Sequence, residues 1–196
     1  MRWERLFEDL QDQFASEWEA ERAALDTEAE RLRLARLALR SRLQVPTLAG
    51  ATLRLDLAGG SAVDGTLDAV GEDWLGLGLM HGGAALVRIE ALLGIRMAEP
   101  DLLRSARETP AAPASLAERM PFTFVLRDLA RRRDPVRIHR VDGHVLAGTI
   151  DRAGADHLDL AVHEPGTPRR AGEVTGFRLI PCAATAWVEV PAHRDR

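Results

Sequence analysis

The sequence predicts an α+β protein: a long N-terminal α-helix, or a helical hairpin, followed by two tandem five-stranded small β-barrels. Three observations predict it. Residues 2–43 hold no Pro or Gly and carry apolar side chains at three- and four-residue steps. Residues 50–98 and 135–190 alternate apolar with polar residues and are cut by glycine-rich turns. Finally, residues 60–79 align without a gap on residues 143–162, with eight identical positions. These are Gly60/Gly143, Gly65/Gly148, Thr66/Thr149, Asp68/Asp151, Gly71/Gly154, Asp73/Asp156, Leu75/Leu158 and Leu77/Leu160. An internal repeat points to two similar cores instead of one. The expected division is 1–45 amphipathic helix, 46–99 first barrel, 100–121 Pro/Ala-rich linker, and 122–191 second barrel with a short leading helix.

The helix reading rests on Trp3, Phe7, Leu10, Phe14, Trp18, Leu25, Leu32, Ala35, Leu39 and Leu43, which form one apolar stripe. Residues 1–30 carry 3 Arg and 10 acids, while residues 31–43 carry 5 Arg and no acid. Antiparallel contact between two such stripes sets the acidic half beside the basic end, and parallel contact sets like charges together. Thr27 with Glu30 matches a capping box, so a break near Asp26 and a fold-back hairpin stand beside the continuous helix. A helix that simply packs on its own barrels is the plainer reading.

In the first β region, Leu53, Leu55 and Leu57 alternate with Arg54 and Asp56, the mark of a half-buried strand. Gly59 and Gly60 make a hairpin turn, and residues 63–68 alternate again. Trp74 to Leu79, Leu86 to Ile89 and Leu93 to Met97 complete five short strands. Four prolines punctuate residues 100–121. Phe122 to Arg133 reads as a short helix with Phe122, Val125, Leu126 and Leu129 on one face. Five strands follow, with an insertion over 163–172.

Composition bounds the function. At 46% hydrophobic and mean hydropathy −0.15, the chain is globular, and it has no apolar run of membrane-spanning length. The acidic, amphipathic start is unlike a signal peptide, and the lone Cys182 fits a reducing compartment, so the expected location is cytoplasmic. All 26 basic residues are Arg, which points to the codon usage of a GC-rich bacterial genome and not to nucleic-acid binding.

The short helix, five strands and central glycine in a long second strand resemble the Sm-like barrel of LSm and Hfq proteins. SH3-like small barrels, PRC-type ones included, share that pattern. Gly65 and Gly148 carry the resemblance, with residues 72–77 and 155–160 similar to the first Sm signature. The resemblance implies a closed barrel whose second strand bends at the glycine. RNA-binding members place an Asn in the signature turn and an Arg-Gly pair at the junction of strands four and five. Here Gly76 and Asp159 stand at the Asn place, and neither residues 87–90 nor 180–183 contain Arg-Gly. The family's RNA site is therefore not carried over.

Other chemistry is sparse. Arg131, Arg132 and Arg133, with Arg127, Arg137 and Arg140, read either as a phosphate-contact cluster or, preferably, as a solvated helix C-terminus that offsets the helix dipole. His139, His144, His157, His163 and Cys182 lack the close spacing of a zinc site, so no metal is expected. The repeated Asp68/Asp151 and Asp73/Asp156 fit turn roles better than acid–base catalysis. No cofactor, membrane or small-molecule substrate is indicated. The expectation is a non-enzymatic interaction or assembly module. It associates with itself or another protein through Trp3, Phe7, Leu10, Phe14 and Trp18. An RNA-binding or ribosome-associated regulator working through the second barrel is the alternative.

Overall fold

A computed structural model describes residues 2–45, 48–107, 115–167 and 169–192, with the backbone alone at 2–15, 17 and 20. The chain forms two compact units, Met1–Arg42 and Leu43–Arg196.

The first unit is mostly one helix, α1 (Arg2–Arg36), 35 residues and about 52 Å long at 1.5 Å per residue. It runs unbroken through Asp26 and Thr27, so the hairpin is not formed. The Thr27 hydroxyl donates to the Ala23 carbonyl at 2.8 Å, one turn back inside the helix, where a capping box would have turned it to a helix start. The chain leaves helical geometry only at Leu37 and Ala38, before the short α2 (Leu39–Leu43). Among the described residues no second long helix accompanies α1, so no coiled coil forms within the chain.

The second unit is built on ten strands: β1 (Thr52–Leu57), β2 (Ala62–Val70), β3 (Trp74–Leu79), β4 (Ala84–Arg88), β5 (Leu92–Arg96), β6 (Pro135–Arg140), β7 (Val145–Ala153), β8 (His157–Val162), β9 (Gly176–Pro181) and β10 (Thr185–Val190). They form one open antiparallel sheet in the order β5-β1-β2-β3-β4-β10-β6-β7-β8-β9. This overturns the expectation of two closed barrels, and with it the Sm-like and SH3-like resemblance. Closing the first set required β4 to meet β5. Instead β4 pairs with β10, opposing Trp187 to Val87 and Val188 to Leu86. The repeated stretch does not make two separate modules; both copies lend strands to one sheet.

Gly65 and Gly148 answer to close approach. A Cβ on Gly65 would sit 2.5 Å from the Gly78 carbonyl, and one on Gly148 would land on the Ala161 carbonyl. Register shifts, the irregularity that bends a strand, lie just beyond, between Leu67 and Ala69 and between Ile150 and Arg152.

Two cores flank the β4–β10 seam, and each borrows from the other half. Ala186 and Trp187 lie in the core of Leu53, Leu55, Leu67 and Leu77. Trp74 and Leu86 lie in the core of Phe122, Leu126, Ile138, Ile150 and Leu160. The stretch expected as linker is partly ordered as α3 (Glu99–Ser105) and a single helical turn at Ala117–Arg119, and residues 108–114 lie outside the described residues. Helix α4 (Phe122–Arg132) then packs on β7 and ends at Arg133, whose φ of 59° is a left-handed cap.

Candidate interaction surfaces

The apolar stripe of α1 is exposed where its side chains are described. Trp18 is 71% exposed, Leu25 65% and Leu32 50%, at seven-residue steps along one face. The side chains of Trp3, Phe7, Leu10 and Phe14 lie outside the described residues, although their backbone is helical. An indole and two leucines thus line one face of the helix over two heptads, facing water.

The six arginines of the nucleic-acid reading do not converge as free cations. Arg127 donates to the Gly154 carbonyl at 3.1 Å. Arg131 and Arg132 both pair with Asp128, the latter at 2.7 Å. Arg133 lies 3.7 Å from Asp151, Arg137 3.0 Å from Glu189, and Arg140 2.6 Å from Asp142. Each has a protein acceptor, and the carboxylates beside five of them offset the attraction for phosphate.

The histidines are dispersed. His144 sits 3.3 Å from Asp142 and His157 2.8 Å from Asp156. Among the described residues, no three His, Cys, Asp or Glu side chains gather as a metal site. Cys182 is buried, which pushes its thiol pKa up, and the nearby Arg88 guanidinium opposes that shift. His163 accepts from or donates to the Thr149 hydroxyl at 2.9 Å, and its Nδ1 lies 3.1 Å from the Glu164 carbonyl. A carbonyl acceptor at Nδ1 places the proton there and leaves Nε2 to accept from Thr149. The order hydroxyl, imidazole, orienting carbonyl is that of an activated nucleophile. Thr149, however, is 1% exposed, so its hydroxyl is sealed from any substrate and the bond serves packing.

The repeated aspartates have structural partners. Asp73 Oδ1 accepts from the Phe122 amide at 2.6 Å, satisfying an open donor at the start of α4. Asp151 takes both arms of Arg169 at 2.5 and 2.6 Å, which ties the 163–172 insertion to β7. That bond pushes the Arg169 pKa up. Asp68 hydrogen-bonds the Thr66 hydroxyl at 3.4 Å, a long contact on the strand surface.

Sequence reading missed the polar cluster at the seam. Glu189 on β10 is 7% exposed, with Arg137 at 3.0 Å, His139 at 3.5 Å and His81 at 3.8 Å. The only signal was a carboxylate between Val188 and Val190 in a mostly apolar strand. A cleft of about 310 Å³ beside Leu43, Val45, Leu67, Val70 and Glu118 is mostly apolar. Among the described residues no helix is long and apolar enough to cross a membrane. The chain matches no known protein-family model and no curated protein.

Proposed function

We propose that this protein is a non-enzymatic assembly module that associates with a second copy of itself through α1, the two helices lying antiparallel. One observation carries the reading: Trp18, Leu25 and Leu32 are exposed at heptad spacing on an uninterrupted 35-residue helix. The charge pattern favours a second copy over an unrelated partner. Residues 1–30, with 3 Arg and 10 acids, complement residues 31–43, with 5 Arg and none, when the chains run in opposite directions.

The test is sedimentation equilibrium of the full chain against the double variant Leu25→Glu, Leu32→Glu. The wild type is expected to dimerise and the variant to lose at least tenfold in association while keeping its circular dichroism. Equal association of the two overturns the reading. RNA binding is the competing function, and the paired state of the six arginines weighs against it. Tight, salt-sensitive binding of wild type to RNA, abolished by Arg131→Glu, Arg132→Glu and Arg133→Glu, would replace the assembly reading.

A further inference from the structure

The open sheet has two edges, β5 and β9, each hydrogen-bonded to one neighbour. They are not arbitrary strands. β9 holds the place in its half that β4 holds in the other: Leu158 faces Ile180 as Leu75 faces Val87. β5 holds the place of β10: Leu55 faces Ile95 as Ile138 faces Val188. The β4–β10 seam is therefore a worked example, inside the chain, of a β9-type strand accepting a β5-type strand. Among the described residues, the edges that match it are both unfilled.

Side-chain exposure follows this difference. Leu86, in the seam, is 6% exposed, and its counterpart Leu179 is 69% exposed. Ala186 is buried in the seam, while its counterpart Leu93 is exposed. Phe177 adds a second exposed apolar side chain beside Leu179. The backbone is also presented. The Cys182 amide bonds the Asp156 carbonyl, and hydrogen-bonded pairs alternate along an antiparallel ladder. The amides of Leu179 and Phe177 consequently point away from β8, toward solvent. Bare, apolar edge strands of this kind invite strand addition.

We propose that a second copy of the chain adds its β5 to β9 in the register of the seam. Val188 opposes Leu86 there. The same register sets Ile95 against Leu179, Gly94 against Ile180 and Arg96 against Arg178. The last pair is the one mismatch. The seam has Ala85 opposite Glu189 at that position. Two guanidinium groups directly opposed across strands weaken the pairing. Asp56, 3.5 Å from Arg96, relieves the repulsion in part. The contact is head-to-tail, so each added copy leaves one β5 and one β9 open, and growth ends only if a ring closes. The arginine pair restrains that growth. This pairing does not depend on the helix pairing proposed above.

The experiment uses full-length protein carrying Leu25→Glu and Leu32→Glu, so that helix pairing and edge pairing are read apart. Sedimentation velocity over a concentration series is expected to show weak association that strengthens with salt as the arginines are screened. Arg178→Ala, which restores the residue type of the seam, is expected to tighten association about fivefold at low salt. In that background Leu179→Lys and Leu93→Lys, both at exposed positions, each block one edge and are expected to abolish growth singly. Mixed together, they are expected to form a dimer and nothing larger, because one intact β5 and one intact β9 remain. A folded Arg178→Ala protein that stays monomeric overturns the proposal. So does association that weakens with salt, or a mixture that behaves as its separate components do.

Discussion

The His139 ring lies flat on the indole of Trp187, with centroids 3.6 Å apart and planes 12° from parallel. The pair lies at the seam, where Trp187 also donates from Nε1 to the Ser61 hydroxyl of the first half at 3.3 Å. Burial of the His139 ring pulls its pKa below the usual histidine value, while the Glu189 carboxylate pulls the other way and loses. His139 is accordingly neutral in the folded protein at pH 7.

That shift sets a pH dependence. An unfolded histidine takes up its proton near pH ~6.5, and folded His139 does so only at lower pH. The unfolded state therefore binds more protons as the pH falls through that window, and stability drops. Stability is complete above about pH 6.5 and declines from there to the folded pKa. Urea unfolding from pH 8 to pH 5 is expected to show this decline, and His139→Gln to flatten it. A slope equal in the two proteins counts against the assignment.

The two equivalent aspartates are expected to differ in cost. Asp73 bonds the first amide of α4, so Asp73→Ala loses about 1 kcal/mol, in the range of a lost helix cap. Asp156 pairs with His157 at a largely exposed site, and Asp156→Ala stays within about 0.5 kcal/mol. Thermal denaturation of the two variants side by side decides it. Equal losses would mean that the Asp73 bond adds nothing.

Glycine positions allow a similar contrast. Gly148→Ala drives a methyl into the backbone of β8 and is expected to cost about 1–3 kcal/mol. Gly172 has open space around it and no positive φ, so Gly172→Ala changes stability little. Chemical denaturation midpoints separate them, and a tolerated Gly148→Ala would show that β7 and β8 have room to part.

The Thr149–His163 bond is internal, so its loss is a packing loss. Thr149→Val keeps the shape and leaves His163 Nε2 without its partner, at about 1–3 kcal/mol. Thr149→Ser is expected to restore most of it. Should valine prove neutral, water or a ring flip must be satisfying His163.

Strand positions were readable because alternation is local. Leu53, Leu55 and Leu57 mark β1 whatever lies beside it, and Trp74 to Leu79 marks β3 in the same way. Which strand neighbours which was not readable. β4 and β10 are about a hundred residues apart in the chain, and an alternating pattern reports a buried face without naming the cover. The barrel expectation failed for that reason. Glycines at 65 and 148 looked like bending points, yet they mark close backbone approach, and the register shifts lie beyond them. Thr27 looked like a cap because its spacing to Glu30 is right, but Ala, Leu, Glu and Arg on both sides carry the helix through it. At the candidate surfaces, the apolar helix face was evident from spacing. The pairing of Arg127, Arg133 and Arg137 was not, since their acceptors, the Gly154 carbonyl, Asp151 and Glu189, are distant in sequence.

Trp74 and Leu86 complete the core of the second half, while Ala186 and Trp187 complete that of the first. Neither half can melt without opening a hole in the other, so heat or denaturant should take both down in one cooperative transition. A fragment ending before Phe122 would carry an unfilled cavity where Trp187 belongs and a bare strand where β10 pairs. Two similar halves have become, in thermodynamic terms, a single folding unit.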